Sequence, residues 1–590
     1  MCGLIGYIGK EQAAPILLDA LTRLEYRGYD SAGLATVDGS TLYLGKDVGK
    51  LTEVMGKCDI ARVPGRIGIG HVRWATHGAV TRENAHPHCD DRSQIAVIHN
   101  GIIENYAEIK ARLSRKYCFK SETDTEVIPH LIREYMDSGM PFESAFFEAT
   151  KELQGSYAIL AVSTTAPDRI LAARKESPLV IGLGEDANYI GSDVLSFLPY
   201  TRRVIFLDDG ERIILTRDTI EVYDEKGREV TKTPTPVNWG WRESAKGDYD
   251  HFMIKEIKEQ PQVIRQALVQ DDQLLMKMAI DILHAREIVF VACGTSRHAA
   301  LVGRYAFSKI GRTFSEVIMG SEFGYFSESV DKGTLVIAIS QSGETADVLN
   351  GVRLAKANGA TVFSLVNVMG SSLARLSDHV LYLNCGPEIG VAATKSFTAE
   401  LVLLYLLAFG ISNNLTEGKR MLRELSSVIE ADLPHHIMEM PSLAERMGDK
   451  KDFYYLARGI NFATAIEGAL KLKEVAYVHA EGMPAGELKH GTLALIEDGT
   501  PIVAICPTDY TYFDTIANVA EAKARGAHVI GISNANECAF DEYVRIPEVE
   551  EVLYPLVTAV PLQLLAYYSA VVRGLDPDKP RNLAKSVTVK

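Results

Sequence analysis

The residue of this chain best suited to covalent chemistry is a cysteine at the second position. Removal of Met1, which a small following residue permits, would leave Cys2 with both a thiol and a free α-amine. An α-amine has a reference pKa of about 7.7–8.0, so much of it is an available base near neutral pH. The sequence therefore predicts a thiol nucleophile that is activated by its own amine rather than by a histidine.

Other segments of the first 125 residues carry the groups that a free amino acid would need for binding. Arg73 could clamp a carboxylate with two hydrogen bonds, and Asp124 could hold an ammonium. The Asn100 carboxamide and the Gly101 N–H could form an oxyanion hole, because glycine lets the backbone approach closely. A thiol with an oxyanion hole suits amide hydrolysis, so the predicted substrate is glutamine.

The second half of the chain contains hydroxyl-rich turns that suit a phosphate. Leu335–Ile339 is typical of a buried strand, and Ser340–Thr345 follows it at the start of a predicted helix. Free N–H groups and the helix dipole favour an anion at such a turn. Thr295 and Ser296 follow the preceding strand and could add two hydroxyls. The segment lacks both the Walker ending and the G-x-G-x-x-G pattern, so a nucleotide is not expected.

Groups that could move protons on a sugar appear near the end of the chain. Lys471 and Glu474 are three positions apart on a predicted helix and so share one face. With His490 they supply the acid and base groups that open a sugar ring and shift a proton between adjacent carbons. The alternative is an ordinary surface ion pair. The apolar residues of the C-terminal tail predict that it docks, which would let Lys585 reach a carbonyl.

The elements that must position these residues fall into two patterns. Short strands and two amphipathic helices, Ala13–Leu24 and Thr125–Tyr135, predict a layered α+β domain over the first 220 or so residues. A polar, proline-containing stretch is typical of a linker, with Trp239 and Trp241 as possible anchors. The remainder alternates strand and helix, which predicts parallel sheets.

The C-terminal part also repeats itself. Val291–Gly294 recurs as Leu456–Gly459, and Ala355–Val362 recurs as Ala522–Val529 at nearly the same offset. This predicts a duplicated domain, and chance similarity between βαβ units is the alternative.

Composition limits the classes of partner and the cellular compartment that we expect for this chain. The formal net charge of -15 disfavours nucleic acid and anionic lipid as partners. Eight scattered cysteines and no signal peptide favour the cytoplasm. The apolar run Leu401–Ile411 is too short to span a bilayer, and Leu553–Val572 is predicted to be a buried helix. No cofactor or metal is expected, because His77, His86 and His88 have no thiolate or carboxylate at ligand spacing.

The N-terminal motifs, together with Arg23–Gly33, closely resemble the class II glutamine amidotransferases. That resemblance implies an N-terminal-nucleophile domain of four αββα layers. It implies Cys2 as nucleophile and base, and Asn100 and Gly101 as oxyanion donors. It also implies that glutamine is bound by Arg73, Trp74, Thr76, His77 and Asp124, with Trp74 gating ammonia.

The whole chain, from Cys2 to Val589, resembles the glutamine:fructose-6-phosphate aminotransferase family, and its second half is similar to tandem sugar-isomerase (SIS) domains with a flavodoxin-like αβα fold. The resemblance implies that ammonia from glutamine passes through an internal channel to fructose 6-phosphate, which is isomerised to glucosamine 6-phosphate. The implied sugar-phosphate residues are Thr295, Ser296, Ser340, Gln341, Ser342, Thr345, Val391 and Ala584.

Catalytic roles in the sugar half follow from the same resemblance. Lys585 would form a Schiff base with the ketone, and Glu474 would shuttle the proton between C1 and C2 with help from Lys471. His490 would open the ring from a neighbouring subunit, so a homodimer is implied.

The expected domains are 1–223 (glutaminase), 224–250 (linker), 251–440 and 441–579 (SIS domains) and 580–590 (docking tail). Two residues depart from the family pattern, Thr492 where proline is common and Lys590 where the tail usually ends in an acid. Neither is assigned to chemistry, so they bear on local rigidity.

Two other functions stay open at the level of sequence. One is a related SIS enzyme acting on another sugar phosphate, for example a fructosamine-phosphate deglycase. The other is a non-catalytic sugar-phosphate sensor. The joint presence of Glu474, His490, Lys585 and an intact Cys2 site favours synthesis of the amino sugar.

Overall fold

The computed structural model describes residues 2–75, 77–237 and 246–588. Its contacts define two compact groups, residues 1–243 with 586–590, and residues 244–585. Thr76, predicted to bind glutamine, lies outside the described residues, as do Trp239, Trp241 and the last residue, Lys590.

The N-terminal group is built mainly from antiparallel strands. Its elements are β1 Gly3–Gly9, α1 Ala13–Leu24, β2 Ser31–Asp38, β3 Thr41–Val48, α2 Leu51–Lys57, β4 Ile67–Arg73, β5 His88–Cys89, β6 Ile95–Ile103, α3 Tyr106–Leu113, α4 Val127–Asp137, α5 Phe142–Glu152, β7 Gly155–Ser163, β8 Ala166–Lys175, β9 Val180–Leu183, β10 Ala187–Gly191, β11 Arg203–Phe206, β12 Arg212–Leu215, β13 Ile220–Tyr223 and β14 Thr235–Pro236.

These strands form two sheets that pack face to face. One has the order β14-β11-β9-β10-β1-β4-β2-β3 and the other β13-β12-β8-β7-β6-β5. Leu4 and Ile190 from the first sheet join Ile98 and Leu160 from the second in one buried apolar cluster. Helix α1 packs on β1 and β4, and α4 packs on β6. The predicted αββα layering is confirmed, and the central strands β1, β4, β6 and β7 are almost wholly buried.

Part of the stretch predicted as linker belongs to this group. Thr235–Pro236 pairs antiparallel with Arg203 and Val204 at the edge of the larger sheet. Proline is tolerated at a sheet edge because its missing N–H is not needed by a further strand. The Thr-Pro sequence therefore suggests an irregular linker, although Thr235–Pro236 extends the sheet.

The second group begins with the first parallel sheet. Its elements are α6 Phe252–Lys258, α7 Gln260–Ala267, α8 Asp272–His284, β15 Glu287–Ala292, α9 Gly294–Lys309, β16 Glu316–Met319, α10 Gly320–Phe323, β17 Thr334–Ser340, α11 Ala346–Ala357, β18 Thr361–Val366, α12 Ser372–Leu376, β19 His379–Tyr382, α13 Lys395–Ile411 and α14 Leu415–Arg446. The domain boundary predicted at residue 440 lies inside α14.

A second parallel sheet follows. Its elements are β20 Asp452–Ala457, α15 Ile460–Ala476, β21 His479–Pro484, β22 Pro501–Ile505, α16 Tyr512–Lys523, β23 His528–Ser533, β24 Glu542–Arg545 and α17 Tyr554–Val572. The orders β16-β15-β17-β18-β19 and β21-β20-β22-β23-β24 are the same when each copy is numbered from its start. This 2-1-3-4-5 order is the flavodoxin-like one, so the predicted duplication and fold class are confirmed.

Long apolar helices join the two copies. Residues of α13, α15 and α17 share a single buried cluster that reaches into both sheets. The segment Glu551–Val572 is long and apolar enough to cross a membrane, but 83% of its most apolar window is buried in the fold. That burial is the behaviour of a core helix, as the sequence predicted.

Candidate active sites

The predicted nucleophile lies immediately before β1, where that strand pairs with β4. Cys2 Sγ accepts a hydrogen bond from Trp74 N at 3.2 Å and lies 3.4 Å from Trp74 O. Burial raises the pKa of the Cys2 thiol, and the bond from Trp74 opposes that rise only in part. A thiol that stays protonated needs a base to become a nucleophile, which is the role predicted for its own α-amine.

The predicted oxyanion donors lie on β6. Asn100 Nδ2 donates a hydrogen bond to Cys2 O at 3.0 Å, so the carboxamide N–H faces residue 2. Gly101 has φ +126°, and a Cβ there would lie 2.0 Å from Ser156 O on β7. Only glycine fits this position without moving the strand. Strand β6 thereby presents a carboxamide and a flexible backbone position beside the thiol residue.

Arg73, predicted to bind the substrate carboxylate, is buried at the end of β4. Its guanidinium donates to His77 O at 2.5 Å, to Ala79 O at 3.3 Å and to Gly78 O at 3.4 Å. These bonds hold the loop that follows β4. The His77 ring packs edge-on against Tyr106, with 5.6 Å between centroids.

The other glutamine-binding predictions lie in loops next to the same strands. Asp124 is buried and its Oδ2 accepts a hydrogen bond from Ile103 N at 2.8 Å, which ties it to the end of β6. The Trp74 ring packs edge-on against Tyr29 at 5.4 Å. The fold therefore brings the described residues of this predicted site to the ends of β1, β4 and β6.

Four buried histidines lie beneath this site. The rings of His71 and His86 are 4.1 Å apart, and those of His86 and His88 are 4.8 Å apart. His86 Nε2 and His99 Nδ1 both contact Thr125 Oγ1, at 2.9 and 3.0 Å. Burial lowers the pKa of all four imidazoles, so they are neutral. Within the described residues, no three His, Cys, Asp or Glu side chains form a metal-binding group.

The predicted phosphate turn joins β17 to α11. Ser340 Oγ lies 2.9 Å from Thr345 Oγ1 and accepts a hydrogen bond from Gly343 N at 3.1 Å. Glu344 N donates to Ser342 Oγ at 3.2 Å. Gly343 has φ +64°, a conformation that favours glycine. The turn thus gathers hydroxyls at the carboxyl end of a parallel strand, where ligands bind in such sheets. Gln341, also predicted to bind the sugar phosphate, lies in the same turn, where its carbonyl accepts a bond from Asn367 N.

Thr295 and Ser296 begin α9 and join the first SIS copy to buried acids. Thr295 Oγ1 donates to Glu467 Oε1 at 3.1 Å and accepts from Lys471 Nζ at 3.0 Å. Ser296 Oγ donates to Glu400 Oε1 at 2.7 Å. Burial raises the pKa of Glu400 to about 8, although the Ser296 bond opposes the rise.

Lys471 and Glu474 form a pair on α15, with 2.6 Å between Nζ and Oε2. The Lys471 side chain is completely buried, so the surface-pair alternative is wrong. Burial lowers the pKa of Lys471, but the carboxylates of Glu467 and Glu474 raise it overall. Lys471 is therefore a charged ammonium that orients Glu474. His490 lies exposed at the end of a short 3-10 helix, Ala485–His490.

The tail places Lys585 against a buried carboxylate. Lys585 Nζ donates to Glu388 Oε2 at 2.5 Å, and Glu388 Oε1 also accepts from Thr394 N and Ser396 N, each at 2.9 Å. Burial favours the neutral acid, but Lys585 lowers the pKa of Glu388 to about 2. Val391 N donates to the backbone of Asp578, and Ala584 is half-buried beside Lys585 in sequence.

Sequence reasoning missed several residues of these networks. They are His71, His298, Glu388, Glu400 and Glu467. His298 Nδ1 lies 2.7 Å from Glu467 Oε2, a contact between segments that are distant in sequence. One signal was visible: Glu400 is a lone carboxylate inside the apolar helix α13, where a charge is expensive unless it has partners.

The second SIS copy differs at the equivalent turn. Asp509 follows β22, and its Oδ1 accepts from Thr511 N and Thr511 Oγ1, both at 2.7 Å. Its Oδ2 accepts from Asn461 Nδ2 at 2.7 Å. The carboxylate of the chain itself therefore occupies donors that could otherwise bind an anion.

Comparison with known proteins agrees with this arrangement. The glutamine amidotransferase domain family matches residues 71–199, and the SIS domain family matches residues 281–409 and 447–573. The glutamine–fructose-6-phosphate aminotransferase (isomerizing) of Methanothermobacter thermautotrophicus is 49% identical over 599 residues, with 100% of each chain covered. The protein of the same name from Thermococcus kodakarensis is 48% identical over 603 residues, again with both chains fully covered. The chain belongs to the glutamine–fructose-6-phosphate aminotransferase family.

A solved structure covers the second half of this aminotransferase chain. The C-terminal domain of the glucosamine-fructose-6-phosphate aminotransferase from Francisella tularensis is 35% identical, with a TM-score of 0.54. The alignment covers 57% of the present chain and 100% of that structure. It therefore corresponds to the tandem SIS domains.

Proposed function

We propose that this aminotransferase makes D-glucosamine 6-phosphate and L-glutamate from L-glutamine and D-fructose 6-phosphate. The names of its full-length relatives support the reaction. The observation that carries it is the presence in one chain of both a Cys2–Asn100 pair at 3.0 Å and a Lys471–Glu474 pair at 2.6 Å. The first pair suits amide hydrolysis and the second suits proton transfer on a sugar.

In the glutaminase step, the Cys2 thiol attacks the amide carbonyl of glutamine while the α-amine of Cys2 takes the thiol proton. The Asn100 carboxamide and the Gly101 N–H stabilise the oxyanion that forms. Ammonia leaves, and water then hydrolyses the thioester to glutamate. Arg73 and Asp124 hold the two ends of the amino acid, together with Thr76 and His77, and Trp74 gates the release of ammonia.

In the sugar step, the hydroxyl turn after β17 and the start of α9 hold the phosphate and the sugar. The Lys585 amine forms a Schiff base with the ketone and water is released, and the Glu388 carboxylate that contacts Lys585 Nζ holds this side chain in position. Ammonia then replaces Lys585. The Lys471 ammonium lies 2.6 Å from Glu474, which carries the proton between C1 and C2.

Ring opening completes the proposal and calls for a second subunit. His490 is exposed in the single chain, which suits a residue that serves the site of a partner. We therefore infer a homodimer in which His490 of one chain opens the sugar ring bound by the other.

Ammonia must remain unprotonated to attack the ketone, and bulk water would protonate it. The proposal therefore includes transfer through a path sheltered from solvent. The cytoplasm is the proposed location, because all eight cysteines are free, which suits a reducing compartment.

Product formation from two nitrogen sources tests the assignment. With Cys2→Ala we expect no glucosamine 6-phosphate from glutamine but continued formation from added ammonium, because only the glutaminase step is lost. With Glu474→Gln we expect no product from either source, while fructose 6-phosphate still binds. Glucosamine 6-phosphate is measured directly after incubation with each source.

Other outcomes distinguish the alternatives. Turnover of glutamine by the unaltered chain without any glucosamine 6-phosphate would favour an enzyme acting on another sugar phosphate. Binding of fructose 6-phosphate with no hydrolysis of glutamine would favour a sensor. Retention of Met1 in the mature protein would remove the free amine and contradict the glutaminase mechanism.

A further inference from the structure

His71 is a buried histidine that the proposed mechanism does not use. It lies within β4 and is completely buried. Its Nε2 is 3.0 Å from Asn100 Oδ1 and 3.2 Å from His99 O. It thus contacts the residue proposed as oxyanion donor from the side opposite to Cys2.

The partners of His71 determine which ring nitrogen carries the proton. A backbone carbonyl is only an acceptor, so the contact with His99 O requires an N–H on Nε2. The same N–H then requires an acceptor on Asn100, which only Oδ1 supplies. The tautomer of His71 and the orientation of the Asn100 carboxamide are therefore fixed together.

This orientation controls what faces the nucleophile. With Oδ1 held by His71, the Nδ2 group is directed to residue 2, where it donates to Cys2 O at 3.0 Å. A carboxamide flipped by half a turn would direct its oxygen there instead. An oxygen would repel the negative charge of a tetrahedral intermediate, whereas an N–H stabilises it.

The surroundings keep His71 neutral. Its Nδ1 has no hydrogen-bond partner among the described residues, and its ring packs on the ring of His86 at 4.1 Å. Arg73 and His99 are the other titratable groups nearest to it, and both disfavour a second proton. Burial lowers the pKa of His71 to about 3. A protonated ring would keep its Nε2–H but place an unpaired charge in the sheet.

We propose that His71 is a positioning residue of the glutaminase site, whose neutral Nε2–H fixes the Asn100 carboxamide so that an N–H, and not an oxygen, faces the oxyanion. The inference rests on the role proposed for Asn100 and goes beyond it. His71 acts through Asn100 and contacts no reacting atom.

The test is a pair of substitutions combined with Asn100→Ala. His71→Phe keeps an aromatic ring but has no donor, and we expect it to lower kcat for glutamine hydrolysis by at least about tenfold with little change in KM. His71→Gln supplies a new N–H, and we expect it to recover part of kcat. In the Asn100→Ala background, His71→Phe should cost no further kcat, because the group that it positions is gone.

His86→Phe is the matched control. It removes a neighbouring buried imidazole that contacts Thr125 and not Asn100, so any effect should persist at the same size in the Asn100→Ala background. Thermal melting of every variant reports whether the N-terminal group is folded, and synthesis driven by added ammonium reports the same for the second group.

The outcomes separate the two proposals. If Asn100→Ala itself leaves kcat unchanged, the assigned oxyanion role fails. If Asn100→Ala lowers kcat and His71→Phe lowers it further by its full factor, the positioning role of His71 is overturned. If His71→Phe does not accumulate as folded protein, His71→Gln is measured instead, alone and combined with Asn100→Ala. A fall in kcat that is as large in the Asn100→Ala background as in the unaltered chain would contradict the proposal.

Discussion

At the scale of single residues, Asn100 donates to Cys2 O in the glutaminase site, and Ser296 donates to Glu400 in the sugar site. Cys2, Asn100 and Gly101 stand out because each type has a distinct chemical use near a chain terminus or a strand end. The buried partners of the sugar site do not stand out, because the contact between Ser296 and Glu400 joins positions 104 residues apart. Spacing within a helix or strand cannot indicate such a pair.

Glu400 gives the sugar site a pH dependence. Its pKa is raised to about 8, so the carboxyl is neutral below that pH and ionised above it. Glu388, Glu467 and Lys585 act on the same group. Ionisation adds a negative charge next to Ser296, which would repel a sugar phosphate. We expect KM for fructose 6-phosphate to rise about fivefold or more between one pH unit below and one above this pKa.

Glu400→Gln is the variant that checks this, because it removes the charge and keeps the shape. The ratio of KM values at the two pH values should fall towards one. Asp509→Asn is the matched control, since Asp509 is also a carboxyl whose pKa burial raises but it contacts neither Ser296 nor Glu400. An unchanged KM ratio in Glu400→Gln would remove Glu400 from the pH response.

At the scale of elements, periodicity predicted most of what positions the sites. The helix predicted over Ala13–Leu24 is found with those ends, because an amphipathic stripe and a buried face coincide there. The strand predicted over Leu335–Ile339 is Thr334–Ser340, one residue longer at each end, because Thr334 pairs with β15 and Ser340 with β18. Strand β14 was missed because it is a two-residue edge strand, and its partner among the described residues, β11, lies more than 30 residues earlier in the chain.

Strand β6 depends on glycine at its site end. Gly101→Ala would place a Cβ 2.0 Å from Ser156 O at φ +126°, and a backbone carbonyl cannot move aside as a side chain can. We expect a loss of about 1–3 kcal/mol in stability and a fall of at least about tenfold in glutamine-dependent kcat. Thermal melting and product assays with glutamine and with ammonium measure the two effects.

Gly56→Ala is the control for this substitution. Gly56 lies in α2 and an added Cβ would meet nothing within 4 Å, so alanine should leave kcat unchanged and raise stability by about 0.5–1 kcal/mol. Full glutamine-dependent activity in Gly101→Ala would show that β6 does not need the close approach to β7.

At the scale of the whole molecule, the alternation of strands and helices predicted the fold class, and two short repeats predicted the duplication. The sequence did not reveal how the copies cooperate. Thr295 of the first copy meets Glu467 and Lys471 of the second, and that contact depends on helix packing rather than on any local pattern.

The proposed sheltered transfer of ammonia is tested on the complete chain. When glutamine labelled with heavy nitrogen at its amide is supplied together with excess unlabelled ammonium, we expect the label to predominate in glucosamine 6-phosphate. Mass spectrometry of the product measures the ratio. A product with the isotopic composition of the free ammonium pool would contradict sheltered transfer, and Cys2→Ala provides the control in which only unlabelled product forms.

The carboxylate of Asp509 in the second SIS copy makes the two copies unequal in what they can bind. Because Asp509 accepts hydrogen bonds from Thr511 and Asn461, we expect the turn of the second copy not to bind a phosphate. Helix α15 of the second copy instead contacts Thr295 of the first copy. The first copy would then bind the sugar phosphate and the second would supply side chains to that site. We therefore expect one chain to bind a single equivalent of sugar phosphate although it contains two SIS copies.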